Sequence, residues 1–191
     1  MKDEYAVYLS NFTRSGRAFF QYLVGLCPNL NIDCSSSLYF DDIFFNKIKK
    51  EITYITIVRD PRDTIPSAII NEMVRDSKRV SINQTIMHYQ RLYVDFYGKL
   101  LNKNNLIIID FNDLINEPEK TMKAIHRVLK IEFVMDQRDK KRIFDENGHI
   151  HTSKIYQEYD KVKTLSNKKD YSPCLKTMNE MLQKKLQLNV F

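Results

Sequence analysis

Two stretches hold residues whose types and spacing suit one chemistry, the grip of an anion. The first reads Asn11-Phe12-Thr13-Arg14-Ser15-Gly16-Arg17-Ala18-Phe19-Phe20. A strand, a bend at Gly16 and then a helix aim backbone N–H groups and the positive end of a helix dipole at a negative ligand. Arg14 adds a fixed cation and Ser15 a hydroxyl donor. The second reads Val58-Arg59-Asp60-Pro61-Arg62-Asp63-Thr64-Ile65-Pro66-Ser67-Ala68-Ile69. Arg59 closes a strand and Ser67 lies about one turn into the helix that follows, so both reach one ligand on the same edge of a sheet. An Arg fork bonds two phosphate oxygens at once and a hydroxyl adds another, which suits a terminal phosphate. The Walker pattern is absent, because no glycine stands five residues before Gly16 and Arg17 replaces the lysine. That counts against phosphoryl transfer from ATP or GTP. Taken alone, the first stretch reads equally well as a surface turn with an exposed arginine.

The elements that must position these loops follow from apolar periodicity. Tyr5–Phe12, Glu51–Val58 and Asn105–Phe111 read as strands, the last two nearly continuous β-branched or aromatic runs of the kind covered on both faces. Arg17–Leu26 reads as the helix after the first strand. Asp63 is placed to cap the helix after Val58, with Pro66 in its first turn. Ser81-Ile82-Asn83-Gln84 is a capping-box pattern, followed by Ile82, Ile86, Tyr89, Tyr93, Phe96 and Leu100 at steps of three and four. Further helices are predicted from Pro118, with Met122, Ile125 and Leu129 inward, and from Ser172-Pro173, with Leu175, Met178, Leu182 and Leu186 inward. A short strand is expected at Ser37–Phe40, and a helix near Asp136–Glu146 followed by a polar loop. Strands alternating with helices imply βαβ units and a parallel α/β sheet, whose ligands bind at the carboxyl ends of the strands.

Composition sets the outer limits. At 191 residues the chain is read as one domain, 1–191, since domains average about 150 residues. Hydrophobic residues make up 43% and charged residues 28%, enough apolar material for a core. Thirty basic against 24 acidic residues give +6, which favours anionic ligands without amounting to a nucleic-acid tail. No run of about 18 apolar residues suggests a membrane span, and the start, MKDEYAVYLS, is too acidic for a signal peptide. Three unpatterned cysteines (Cys27, Cys34, Cys174) read as free thiols in a reducing compartment, so the expected address is cytoplasmic.

With both loops in view, the pair TRSG…F and VRDPRDxxxS resembles the sulfotransferases that use 3′-phosphoadenosine 5′-phosphosulfate. A third stretch, Ile109-Asp110-Phe111-Asn112-Asp113-Leu114-Ile115-Asn116-Glu117-Pro118, is similar to the family's "EDL…NP" segment. The three motifs span residues 5–130, and the second is the most specific. The resemblance implies an α/β fold, a P-loop nucleotide-kinase-like parallel β-sheet flanked by α-helices on both faces. It implies that Thr13, Arg14, Ser15, Gly16, Arg17, Ala18 and Phe19 surround the 5′-phosphosulfate, and that Arg59 and Ser67 bind the 3′-phosphate. Arg14 fills the position where carbohydrate-type members carry arginine and cytosolic ones lysine. The implied reaction moves a sulfuryl group in line to an acceptor hydroxyl or amine, leaving 3′-phosphoadenosine 5′-phosphate, with no metal required.

The chain departs from that pattern in places. Thr or Ser usually stands where Arg17 and Ala18 are, and neither the His nor the Glu that serves as base in the family is present. Asp33 falls near the Glu position and Asp41 and Asp42 near the His position, so Asp41 and then Asp33 are the candidate bases, against their being solvated loop or cap residues. Lys154 follows His149 and His151 where a nucleotide-covering loop would come, and is a candidate for the 3′-phosphate. The His pair lacks matched metal-ligand spacing. His88 and His126 read as structural or surface residues. The chain is short for the family, which leaves the acceptor pocket open or completed by a second subunit. Two other functions compete: a degenerate P-loop phosphotransferase, which would not explain Arg59 and Ser67, and a non-catalytic nucleotide- or nucleic-acid-binding protein. For the latter, the basic clusters Lys47–Lys50, Lys140–Arg142 and Lys184–Lys185 are more simply solvated faces.

Overall fold

The structure, a computed structural model, describes residues 7–34, 53–76, 81–136 and 153–188, with side chains from 7–34, 53–73, 81–136 and 159–188. Three strands, β1 (Val7–Leu9), β2 (Thr53–Val58) and β3 (Leu106–Asp110), pair in parallel in the order β1-β2-β3. Ile55 lies opposite Leu9 on one side and Ile107 on the other. Among the described residues seven helices accompany them: α1 (Arg17–Gly25), α2 (Pro61–Asp76), α3 (Ile82–Leu101), α4 (Phe111–Asn116), α5 (Pro118–Leu129), α6 (Ser153–Ser166) and α7 (Ser172–Leu182).

Alternation along the strands sorts the core into two layers. Ile55, Ile57, Ile107 and Ile109 face α1, α4 and α5, meeting Phe20, Leu23, Leu114, Met122 and Ile125. Val58 and Ile108 face the other way, onto α2, α3, α6 and α7, through Ile65, Ile69, Tyr93, Tyr97, Val162 and Met181. This is the doubly covered parallel sheet that the sequence predicts. Each fully buried Ile contributes about 1.5–3 kcal/mol through burial alone, so a strand made almost wholly of such residues is fixed in register by both faces. Both sheet edges also find partners. Leu9 N donates to Asp33 O at 2.9 Å and Asp33 N to Val7 O at 3.0 Å. On the far edge Leu186 N donates to Ile108 O at 2.7 Å, and Lys185 bonds Asp113 at 2.8 Å and Asp110 at 3.4 Å.

Several local expectations change. β1 ends at Leu9, and the next three residues leave the ladder to build the loop, although Ser10 N still donates to Ile55 O at 2.8 Å. Ser81 is the N-cap of α3, but its side chain makes no capping bond among the described residues, so the expected capping box does not form. Thr85 Oγ1 donates to the Ser81 carbonyl instead, at 3.0 Å. The apolar positions of α3 do fall inward as spaced, with Tyr97 added to them. In the polar stretch expected to be a loop, Ser153–Ser166 is helix α6, anchored by the fully buried Val162. Its many lysines hide a narrow apolar stripe at steps of three, Tyr159, Val162 and Leu165. The expected strand at 37–40 and most of the expected helix at 136–146 lie outside the described residues. His126 is buried, with Nδ1 2.7 Å from the Met122 carbonyl, while His88 is exposed. Cys27, Cys34 and Cys174 are free thiols, and burial pushes Cys174 up to about 11.

Candidate active site at the carboxyl edge of the sheet

The first loop is pinned before it turns. The buried Asn11 side chain accepts from Ile57 N at 2.7 Å, tying the loop to β2. Phe12 then plugs into an aromatic cluster, with ring centroids 5.2 Å from Tyr93 and 5.9 Å from Phe96. Past this anchor the chain turns through two left-handed residues, Arg14 (φ 61°) and Gly16 (φ 97°). Gly16 is required on two counts. Its φ favours glycine, and a Cβ there would stand 2.9 Å from Phe111 Cδ2 and Cε2. Gly16 is the N-cap of α1, and that terminus carries no side-chain cap and no acid in its first turn. Its N–H groups therefore point outward without a carboxylate to neutralise them. Ser15 is fully buried, and its Oγ lies near the Tyr97 phenol without a well-aligned hydrogen bond among the described residues. A buried hydroxyl beside uncapped helix donors is chemistry that suits an anion.

The second loop meets the first through Arg59 and Ser67. Arg59 leaves the end of β2 with its carbonyl accepting from the Tyr93 hydroxyl at 2.8 Å. One N–H of its guanidinium donates to the Arg14 carbonyl at 3.1 Å, and the guanidinium carbon sits 4.4 Å from the centroid of the Phe111 ring. Arg14 Nε in turn donates to Ser67 Oγ at 3.1 Å. Three of the candidates named for the anion, Arg14, Arg59 and Ser67, thus form one hydrogen-bonded chain. Burial of Tyr93 and Tyr97 pushes both phenols up, so they remain neutral donors; Tyr97 gives its proton to the Ile57 carbonyl at 2.8 Å.

Helix α2 starts earlier than expected, at Pro61, so Asp60 and not Asp63 is its cap. Asp60 Oδ1 accepts from Arg62 N at 2.8 Å, and its carboxylate holds the Arg62 side chain through contacts of 2.6–3.1 Å. Burial tends to raise the Asp60 pKa, but the bonds from Arg62 outweigh it and hold the carboxyl below its ordinary value. Pro61 takes the first helical position, where no N–H is needed. Pro66 falls in the second turn, one residue before Ser67. Asp63 pairs instead with Lys163 of α6 at 3.3 Å.

The remaining candidates are scattered. Thr13 is half-buried in the loop, Ala18 is exposed, and Phe19 packs toward the α1 side of the core. Arg17 directs its guanidinium at the Cys34 carbonyl, which Gln21 also bonds at 3.3 Å. Asp33 lies beside β1, its backbone bridging to Tyr8. Lys154 falls in the first turn of α6, not in a loop, and its side chain is outside the described residues, as are Asp41, Asp42, His149 and His151. Two residues near the loops escape a reading of the sequence. Phe111 ends the third strand run and so belongs to the same sheet edge, a signal that was available. Lys163 carries no local signal, since only the packing of α6 on α2 brings it to Asp63.

A parallel sheet with two hydrogen-bonded loops at its carboxyl edge is the layout of the α/β folds that bind ligands at that edge. Within that class the comparison is specific: residues 47–135, which include the second loop and the third motif, match the Sulfotransferase family. In structure the chain is similar to a sulfotransferase from Alicyclobacillus acidocaldarius, at 10% identity and a TM-score of 0.57, over 96% of this chain and 98% of that one. It is also matched to the mouse sulfotransferase SULT7A1, whose structure was determined in complex with PAP, at 13% identity and a TM-score of 0.45, over 93% and 88% of the two chains. No curated protein matches the chain. The resemblance to sulfotransferases read from the two loops is borne out by the family match over its central segment and by fold over nearly its whole length. No helix among the described residues is long and apolar enough to cross a membrane.

Proposed function

We propose that the chain is a sulfotransferase whose donor is 3′-phosphoadenosine 5′-phosphosulfate and whose acceptor offers a hydroxyl or an amine, with a sugar favoured by the arginine at position 14. The observation that carries this reading is the chain of bonds from Arg59 to Arg14 to Ser67, which joins the two anion loops. In this reading the 3′-phosphate takes the Arg59 fork and the Ser67 hydroxyl. The 5′-phosphosulfate lies over Gly16, against the first N–H groups of α1 and the buried Ser15 hydroxyl, within the segment Thr13–Phe19. The bond between sulfur and the 5′-phosphate oxygen breaks as the acceptor oxygen or nitrogen bonds to sulfur, and the acceptor proton passes to a carboxylate. Asp41 and Asp33 are the candidates for that base. Arg14 stabilises the charge that grows on the departing phosphate. Lys154, at the start of α6, supplies a further cation for the 3′-phosphate. The reading takes residues 1–191 as one cytoplasmic domain.

Calorimetric titration separates this function from its competitors. Metal-independent, micromolar binding of 3′-phosphoadenosine 5′-phosphate, well above that of ADP, is the expected result. Preference for ADP with Mg²⁺ would establish a phosphotransferase instead, and binding of neither would remove the nucleotide from the account.

A further inference from the structure

The ring of Phe111 touches both loops at once. On one side its face lies under the Arg59 guanidinium, 4.4 Å from centroid to carbon. On another its Cδ2 and Cε2 occupy the space where Gly16 would carry a side chain, 2.9 Å from the position of a Cβ. The ring is itself held firmly. Phe111 opens α4, whose cap is Asp110, accepting from Asn112 N at 2.9 Å. Lys185 ties Asp110 and Asp113 together from the C-terminal segment, and Leu114 is fully buried.

We infer that Phe111 is a positioning residue that aims Arg59, and through it sets the preference for a 3′-phosphorylated nucleotide; the inference rests on the nucleotide reading above. A long arginine side chain at a strand end loses much rotamer freedom when it grips a ligand. Here one N–H of the fork is fixed by the Arg14 carbonyl and the plane of the fork by the aromatic face. Among the described residues, that carbonyl bond uses one of the guanidinium's five N–H donors, which leaves the rest for oxygens of the ligand. An aliphatic side chain of similar bulk would still fill the space against Gly16. It would not offer the negative ring face that attracts a cation.

The test compares Kd values for 3′-phosphoadenosine 5′-phosphate and adenosine 5′-monophosphate, two nucleotides that differ only in the 3′-phosphate. In Phe111→Leu the ratio of the two is expected to fall about threefold to thirtyfold, the range a cation–π contact spans. Phe111→Tyr should restore the ratio to within a factor of two. In an Arg59→Ala background Phe111→Leu should leave the ratio unchanged, because its effect passes through the arginine. Phe111→Met carries the same comparison if the leucine variant does not fold. A wild-type preference that survives Phe111→Leu would overturn the inference and leave the nucleotide reading standing. So would an equal loss for both nucleotides, or an undiminished drop in the Arg59→Ala background. A wild type without preference for the 3′-phosphate would remove the nucleotide reading and this inference together.

Discussion

At the scale of single residues, Arg59 and Gly16 carry the sharpest consequences. Arg59 bonds the first loop and leaves donors over for a ligand. Its replacement by alanine should weaken binding of 3′-phosphoadenosine 5′-phosphate by about 1.5–3 kcal/mol, the worth of charge-assisted hydrogen bonds, and barely change binding of adenosine 5′-monophosphate. Equal losses in a titration of both would take Arg59 out of the 3′-phosphate site. Gly16 is a matter of space and of backbone. Alanine there would adopt a left-handed φ at a cost of roughly 1–2 kcal/mol and would press on the Phe111 ring. A melting temperature lower by about 4–8 °C is expected for a loss near 2 kcal/mol in a chain of this size. An unshifted melt would mean the loop relaxes around a methyl group.

At the scale of elements, the start of α2 decides where Ser67 stands. Asp60 caps that helix through Arg62 N and lies next to Arg59 in the chain. Because its folded pKa is depressed, the stability it gives is fully present above the unfolded value near about 3.9 and is lost as pH falls through the folded value. At neutral pH Asp60→Ala should cost about 1 kcal/mol, the usual worth of such a cap. The gap between wild type and variant in urea midpoint should then close as pH is lowered from 5 towards 2. A gap that stays constant over that range would assign the stability to something other than the ionised carboxylate. Lys185 works on the opposite edge, where its bonds to Asp113 and Asp110 fasten the C-terminal segment beside α4.

At the scale of the whole molecule, a net charge of +6 invites the question of whether the ligand is a small nucleotide or a polyanion. A protein that neutralises many backbone phosphates loses about 10³–10⁵ in affinity between 50 and 200 mM salt. A nucleotide held in a preformed cradle by a few directed bonds should lose far less over the same range. A steep salt slope, measured with 3′-phosphoadenosine 5′-phosphate beside a single-stranded oligonucleotide, would favour the nucleic-acid alternative. The fold itself was largely legible at this scale. Runs such as Thr53–Val58 can be satisfied only by a sheet covered on both faces, and the two core layers are that cover. Helix α6 was not legible, because lysines surround its apolar stripe and it is the packing on α2 and α3 that gives that stripe something to bury against.

What the sequence determined by itself was local: strand runs, a loop that turns at Gly16, and an arginine and a hydroxyl at set distances along the second loop. These follow from backbone sterics and periodicity, which act over a few residues. Only the tertiary structure decided that Arg14 bonds Ser67, fifty-three residues away, and that Phe111 lies between Gly16 and Arg59. It likewise decided that Asp63 meets Lys163, a hundred residues distant. Contacts of that kind depend on how β1, β2 and β3 stack in register and on which helices cover each face. No local spacing encodes that choice, because it is settled by burying all the apolar faces at once.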